Sequence, residues 1–177
     1  VSFSDSFASA SGTVVFNNAM RSLSLSPDNS QFFKNANSKK ETSIANKLWI
    51  DLTSDNGVFN QILVGYVDGA TNADDGAFYD ARKIVAPTAY AALYSKIEST
   101  SKKFVIQGKN PNSLNEDEII KLGFSTTIDV ATLFKLSIAQ LQAEFLTNNT
   151  VYLKDNLLNT LHDLSAGDYT FTSEVGE

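Results

Sequence analysis

Apolar and polar positions along the chain fall into short runs of period two, parted by Asn, Asp, Gly and Ser. The clearest run is Ile44 to Thr53. There Leu48, Ile50 and Leu52 share one face and Lys47, Trp49 and Asp51 the other, as in a half-buried strand. Asp55-Asn56-Gly57 is a strong turn, and Val58 to Val67 returns as a second strand, so the two predict a hairpin. Lys103 to Gln107 reads as a short strand closed by Gly108 and the loop Asn110-Pro111-Asn112. Between Glu116 and Ile128, Ile120, Leu122 and Phe124 share a face. Leu133 to Leu141 alternates Phe134, Leu136 and Ile138 inward with Lys135 and Ser137 outward. Asn148-Asn149 is read as a turn into Val151 to Leu153, followed by Leu161 to Leu164 and a last strand carrying Tyr169 and Phe171.

Two stretches read less cleanly. Ala89 to Ile97 has alanines that suit a helix and tyrosines, Tyr90 and Tyr94, that suit a strand; an irregular strand is expected. Near the start, Thr13 to Phe16 and Met20 to Leu25 form two short strands about Asn17-Asn18, and residues 1–12 are a Ser-rich linker or edge strand. Many short strands and no helix-length amphipathic pattern predict an all-β fold, an antiparallel β-sandwich of jelly-roll-like form. With 177 residues, one domain spanning 1–177 is expected.

Composition narrows the function. A net charge of −6 leaves no cationic surface of the kind nucleic acid requires; only Lys39-Lys40 and Lys102-Lys103 cluster at all. The absence of cysteine excludes disulfides, thiolate metal sites and thiol nucleophiles. No apolar run reaches the length of a membrane span. Because the chain opens at Val1 rather than Met, a mature product or an excised piece of a longer protein is expected.

The chemistry concentrates in Leu63 to Ile84, where a strand runs into an acid-rich loop. Asp68, Asn72, Asp74, Asp75 and Asp80 supply oxygen ligands of the type calcium takes, and Gly65, Gly69 and Gly76 let the chain bend among them. The order departs from the helix–loop–helix calcium pattern. A solvated loop of local Asx turns is the competing reading. Trp49, Tyr66, Phe78 and Tyr79 are the candidate ligand-binding aromatics, a platform for a sugar ring, set against the commoner role of aromatics as core. His162, the one histidine, sits between Leu161 and Asp163 with no nucleophile motif pointing to it, so a surface or turn histidine hydrogen-bonded to a neighbour is expected rather than a base.

The series VGYVDGATNADDGAFYDARKI, ALYSKI, FVIQGK, IIKLGF and VYLKDNLLNTLHDLSAGDYTFTSEVGE carries a resemblance over residues 44–177. It is similar to the C-terminal β-rich region of large secreted surface proteins of Bacteroidetes (Flavobacterium-like), just ahead of a type IX secretion sorting signal. In those proteins the chain continues beyond the equivalent of Gly176 into a further strand and the signal, so an excised domain is expected. The resemblance implies a secreted or cell-surface location and the type IX machinery as partner of the parent protein. It brings no catalytic residues. The resulting expectation is a non-catalytic adhesion or carbohydrate-binding module, taking polysaccharide or a cell-surface glycan, with calcium as a stabilising cofactor. A spacer supporting the sorting region and a polysaccharide-active enzyme domain are the alternatives.

Overall fold

The computed structural model describes residues 45–84 and 91–174, within a compact unit spanning Thr42–Glu177. The expected strands near Thr13 and Met20, the Ser-rich start and Tyr90 lie outside the described residues. Among the described residues there are ten strands: β1 (Asn46–Ser54), β2 (Phe59–Tyr66), β3 (Ala81–Arg82), β4 (Ala91–Lys96), β5 (Lys103–Lys109), β6 (Leu122–Thr126), β7 (Thr132–Gln142), β8 (Tyr152–Asp155), β9 (Thr160–Asp163) and β10 (Tyr169–Ser173). A short α-helix, α1 (Glu144–Asn148), follows β7. The fold is all-β.

The predicted hairpin is present in register, Asn46 facing Tyr66 and Thr53 facing Phe59. Its turn uses Gly57 at φ +89°, a conformation that side chains with a Cβ adopt at a cost. Ser54 closes the turn: its amide donates to the Val58 carbonyl at 3.2 Å and its hydroxyl accepts from the Val58 amide at 3.1 Å. On its other edge β1 pairs with β7, and here the sequence carries two apolar phases. Phe134, Leu136 and Ile138 follow one parity and Leu141 the other. A bulge opposite Trp49 and Ile50 absorbs the extra residue, so Ile138 faces Ile50 and Leu141 still faces Leu48.

The main sheet runs β10-β7-β1-β2-β5-β4-β6, with β3 also pairing β5. It is mixed rather than wholly antiparallel. β2 and β5 run parallel over Leu63–Tyr66 and Ile106–Lys109, because the chain leaves β2, crosses through the acidic loop, β3 and β4, and re-enters in the same direction. A hairpin cannot make that return. Asn60, buried on β2, reinforces the crossing by donating to the Ala91 carbonyl at the start of β4 at 2.9 Å.

Leu48, Ile50 and Leu52 of β1 are buried against Ile62, Ala91, Leu93, Phe134, Leu136 and Leu146. Truncating one of these leucines to alanine costs roughly 2–5 kcal/mol in such a setting. The two ends of the strand order meet over this core. The Phe124 ring of β6 lies 4.9 Å from Phe134 and 5.0 Å from Phe171 of β10, both edge to face. The sheet is therefore curled, nearly into a barrel, and closed by rings rather than by a ladder between β6 and β10. β8 and β9 form a separate two-stranded ribbon.

The expected turn at Asn148-Asn149 is instead the end of α1. The Asn149 side chain donates to the Phe145 carbonyl at 2.9 Å, and Leu146 enters the core. Five residues are too few for a helical period to be visible in the sequence.

Candidate functional site

The acidic loop leaves β2 at Val67, whose amide donates to the Lys109 carbonyl at 3.1 Å. Its side chains are occupied by donors of its own fold. Both Asp75 oxygens accept from Thr71, from the amide at 2.6 Å and from the hydroxyl at 2.7 Å. Asp80 is buried and accepts from the Asp75 amide at 2.6 Å and the Gly108 amide at 3.0 Å, which fastens the loop to β5. Burial pushes the Asp80 carboxyl above the usual range, against the pull of those two amides. Asp74 pairs with Lys102 across the β4–β5 turn and accepts from the Gly76 amide at 3.0 Å; the lysine, then the amide, hold its carboxyl below the usual range. Asn72 Oδ1 accepts from the Asn110 amide at 3.1 Å and the Ser113 hydroxyl at 3.2 Å. Asp68 is exposed, and only its carbonyl is engaged, by the Tyr79 hydroxyl at 3.3 Å.

Calcium would need several of these oxygens to converge with their lone pairs free. A hollow of about 420 Å³ does bring Asp74 and Asp80 to one wall, but Arg82 lines it too and Lys102 already neutralises Asp74. Among the described residues no group of three or more His, Asp or Glu is gathered as for a metal. As folded, the oxygens of Asp74, Asp75, Asp80 and Asn72 accept from donors of the chain itself, which braces the loop.

The four candidate aromatics are not assembled into one platform. Tyr66 is 3% exposed, with its hydroxyl 3.4 Å from Glu118; burial first, then the Glu118 charge and hydrogen bond, push its phenol far above the ordinary value. Trp49 is half-buried on β1 between Leu63 and Gln140. Tyr79 packs onto the loop's own backbone, in contact range of Gly69 and Gly108. Phe78, 90% exposed, is the one ring free in solvent, and among the described residues no two of the four rings stack. His162 lies within strand β9 rather than in a turn, with Nε2 2.9 Å from the carbonyl oxygen of nearby Gly167.

Beside the acidic loop is an open cleft of about 450 Å³. Asn72 brings the loop to its wall. Lys96 and Glu98 come from the end of β4, Gln107 and Lys109 from β5, and Lys121 from the lead into β6. Lys109 is paired with Glu118 at 2.7 Å, and Lys121 with Glu98, whose carboxyl that lysine holds low. Lys96 takes part in no ion pair among the described residues; its ammonium lies 5.5 Å from the Tyr94 ring centroid. Gln107 is buried, and its Oε1 has no hydrogen-bond partner. A buried amide oxygen left bare costs stability.

Gln107 and its neighbours escaped the sequence reading, although one signal was there. A glutamine at the end of the apolar run FVI is a polar group where burial was to be expected. Lys96 and Lys121 carry no such mark, because only the pairing of β4 with β6, Ser95 facing Leu122, draws their segments together.

The fold and cleft describe an all-β domain with a hollow lined by both lysines and apolar side chains on a curled sheet. The chain belongs to the family described as Domain of unknown function (DUF8693), whose model matches residues 1–177. No curated protein matches it, and no solved structure does.

Proposed function

We propose that this chain is a non-catalytic carbohydrate-binding or adhesion module of a secreted or cell-surface bacterial protein, with its glycan site in the cleft beside the acidic loop. The observation that carries the reading is the mixed lining of this cleft, where Asn72, Gln107 and three lysines meet the apolar Ile119 and Ile120. Sugars present hydroxyl groups beside apolar C–H faces, which a lining of both kinds suits. The acidic loop is then the brace that sets the cleft wall through Asn72. The two halves of the curled sheet act as the two layers of a jelly-roll-like sandwich. Export through the type IX machinery, with a polysaccharide or cell-surface glycan as partner, rests on the sequence resemblance. A hydrolase would require two free carboxylates converging on the sugar. The cleft offers Glu98, which is tied to Lys121.

The test is a polysaccharide panel run once with calcium and once with a chelator. Saturable binding is expected in both, with an unchanged melting temperature. Binding lost in chelator would return calcium to the Asp68–Asp80 loop. Binding in neither condition sinks the module reading in favour of a spacer.

A further inference from the structure

We propose that the open seam between β6 and β10 is a docking slot for one extended peptide segment of a partner protein, which pairs with both edges and closes the sheet. Both edges are unguarded. Each strand has a single neighbour among the described residues, β4 for β6 and β7 for β10, so each leaves a row of backbone donors and acceptors unpaired. Sheets ordinarily protect such edges with lysine, proline or a bulge. Neither Leu122–Thr126 nor Tyr169–Ser173 contains a charge or a proline, and both ladders run without a register shift.

The seam is also wide. Followed through the ladders, β6 and β10 run in opposite directions, so direction alone would permit an antiparallel ladder between them. Such a ladder needs strands about 4.8 Å apart. These two stand farther off, their Cα atoms for the most part more than 8 Å from one another. One strand laid between two others asks for twice the ladder spacing, about 10 Å. Only a single segment fits there, so a folded second copy cannot enter with its own edge.

The floor of the seam is apolar and incompletely covered. Leu48, Ile50, Leu52, Ile62 and Phe134, on strands paired along both edges, are at most 4% exposed. Leu122 and Phe124 of β6 and Tyr169 and Phe171 of β10 pack on the same core, yet they are only half-buried. The Phe124 and Phe171 rings already meet, 5.0 Å apart, so the inward positions of a docked segment call for small apolar side chains. The partner's chemistry follows: an uncharged stretch with β-branched residues such as valine at alternate positions and polar ones between them. It runs antiparallel to one edge and parallel to the other, a mixture the sheet already carries at β2 and β5.

The probe is a capped peptide of alternating valine and threonine with a lysine at each end; a scramble of the same residues that breaks the alternation is the control. Added to the whole chain, the alternating peptide should slow hydrogen exchange at the amides of β6 and β10 that face away from β4 and β7, by about tenfold or more, and the scramble should not. Successive N–H groups of a strand point to opposite edges. N-methylation of the odd residues therefore removes pairing to one neighbour, and of the even residues to the other. Each series should weaken binding by about tenfold or more, the worth of a few backbone hydrogen bonds. Protection of one strand alone, or sensitivity to one series alone, overturns the slot in favour of simple edge pairing. Failure of the alternating peptide to bind, or equal binding of the scramble, overturns it too. Amides of both edges already protected in the free chain at every dilution mean that the chain fills its own seam, and protection that grows with protein concentration means that a second copy does; either result overturns the proposal.

Discussion

Single residues set the shape of the loop beside the cleft, and Tyr79 is the one most tightly defined. A Cβ placed on Gly69 would lie 2.3 Å from the Tyr79 hydroxyl oxygen, and one on Gly108 would lie 2.6 Å from Tyr79 Cβ. Both glycines therefore exist to let a tyrosine lie flat on backbone, and Gly69 also holds φ +91°. Gly69→Ala should destabilise the protein by about 2 kcal/mol or more, from the left-handed backbone and the clash together. Urea unfolding measures it. Tyr79→Phe removes only the hydroxyl that donates to Asp68, so a double variant with Gly69→Ala should recover part of the loss; if it recovers none, the Tyr79 contact is not the cause.

Among the elements, the β8–β9 ribbon shows how a few polar bonds hold a small sheet to a large one. The Tyr169 hydroxyl on β10 donates to Asp155 Oδ2 at 2.6 Å, while Asp155 Oδ1 accepts from the Leu157 and Leu158 amides at 2.7 and 2.9 Å. The tyrosine first, and then those amides, hold the Asp155 carboxyl below its ordinary value. A depressed carboxylate contributes stability that is present above its unfolded pKa of about 3.9 and is lost as pH falls through the lower folded value. The same bond raises the Tyr169 phenol, whose share is present below about pH 10 and is lost as pH rises through the folded value. Tyr169→Phe should therefore move the Asp155 carboxyl upward in an NMR titration, short of the ordinary value because the amides remain. An unmoved titration would mean that the amides alone set it. At this scale much of the structure was legible in the sequence. The hairpin of β1 and β2 follows from alternation plus Asn56-Gly57, and the inward set of β7 from Phe134, Leu136 and Ile138. The bulge that rescues Leu141 was not legible, since it depends on what β1 places opposite.

The whole molecule is where sequence patterning says least. Period-two alternation tells which face of a strand is buried but not which strands pair. The parallel match of Leu63–Tyr66 with Ile106–Lys109 is made by the path of the chain between them. The cleft is a product of that path, since Asn72, Lys96, Gln107 and Lys121 sit on four segments that only the closed sheet gathers. The acidic loop draws attention because its acids are neighbours in sequence; in space Asp74, Asp75 and Asp80 accept from a lysine, a threonine and backbone amides of the fold. Closure of the sheet is likewise a three-dimensional event, carried by Phe124 between Phe134 and Phe171. Phe124→Ala removes the ring joining the two ends of the strand order and should cost about 3 kcal/mol. The loss should not be uniform. β1, β2 and β7 keep their ladders, whereas β6 and β10 lose the contact that covers them, so their amides should exchange with solvent well before the rest. Hydrogen exchange of the variant separates two accounts of the fold. Early opening confined to β6 and β10 means that the rings close the sheet. A loss of protection shared by every strand means that Phe124 acts only as one more core side chain, and that the curl is set by the twist of β1, β2 and β7 alone.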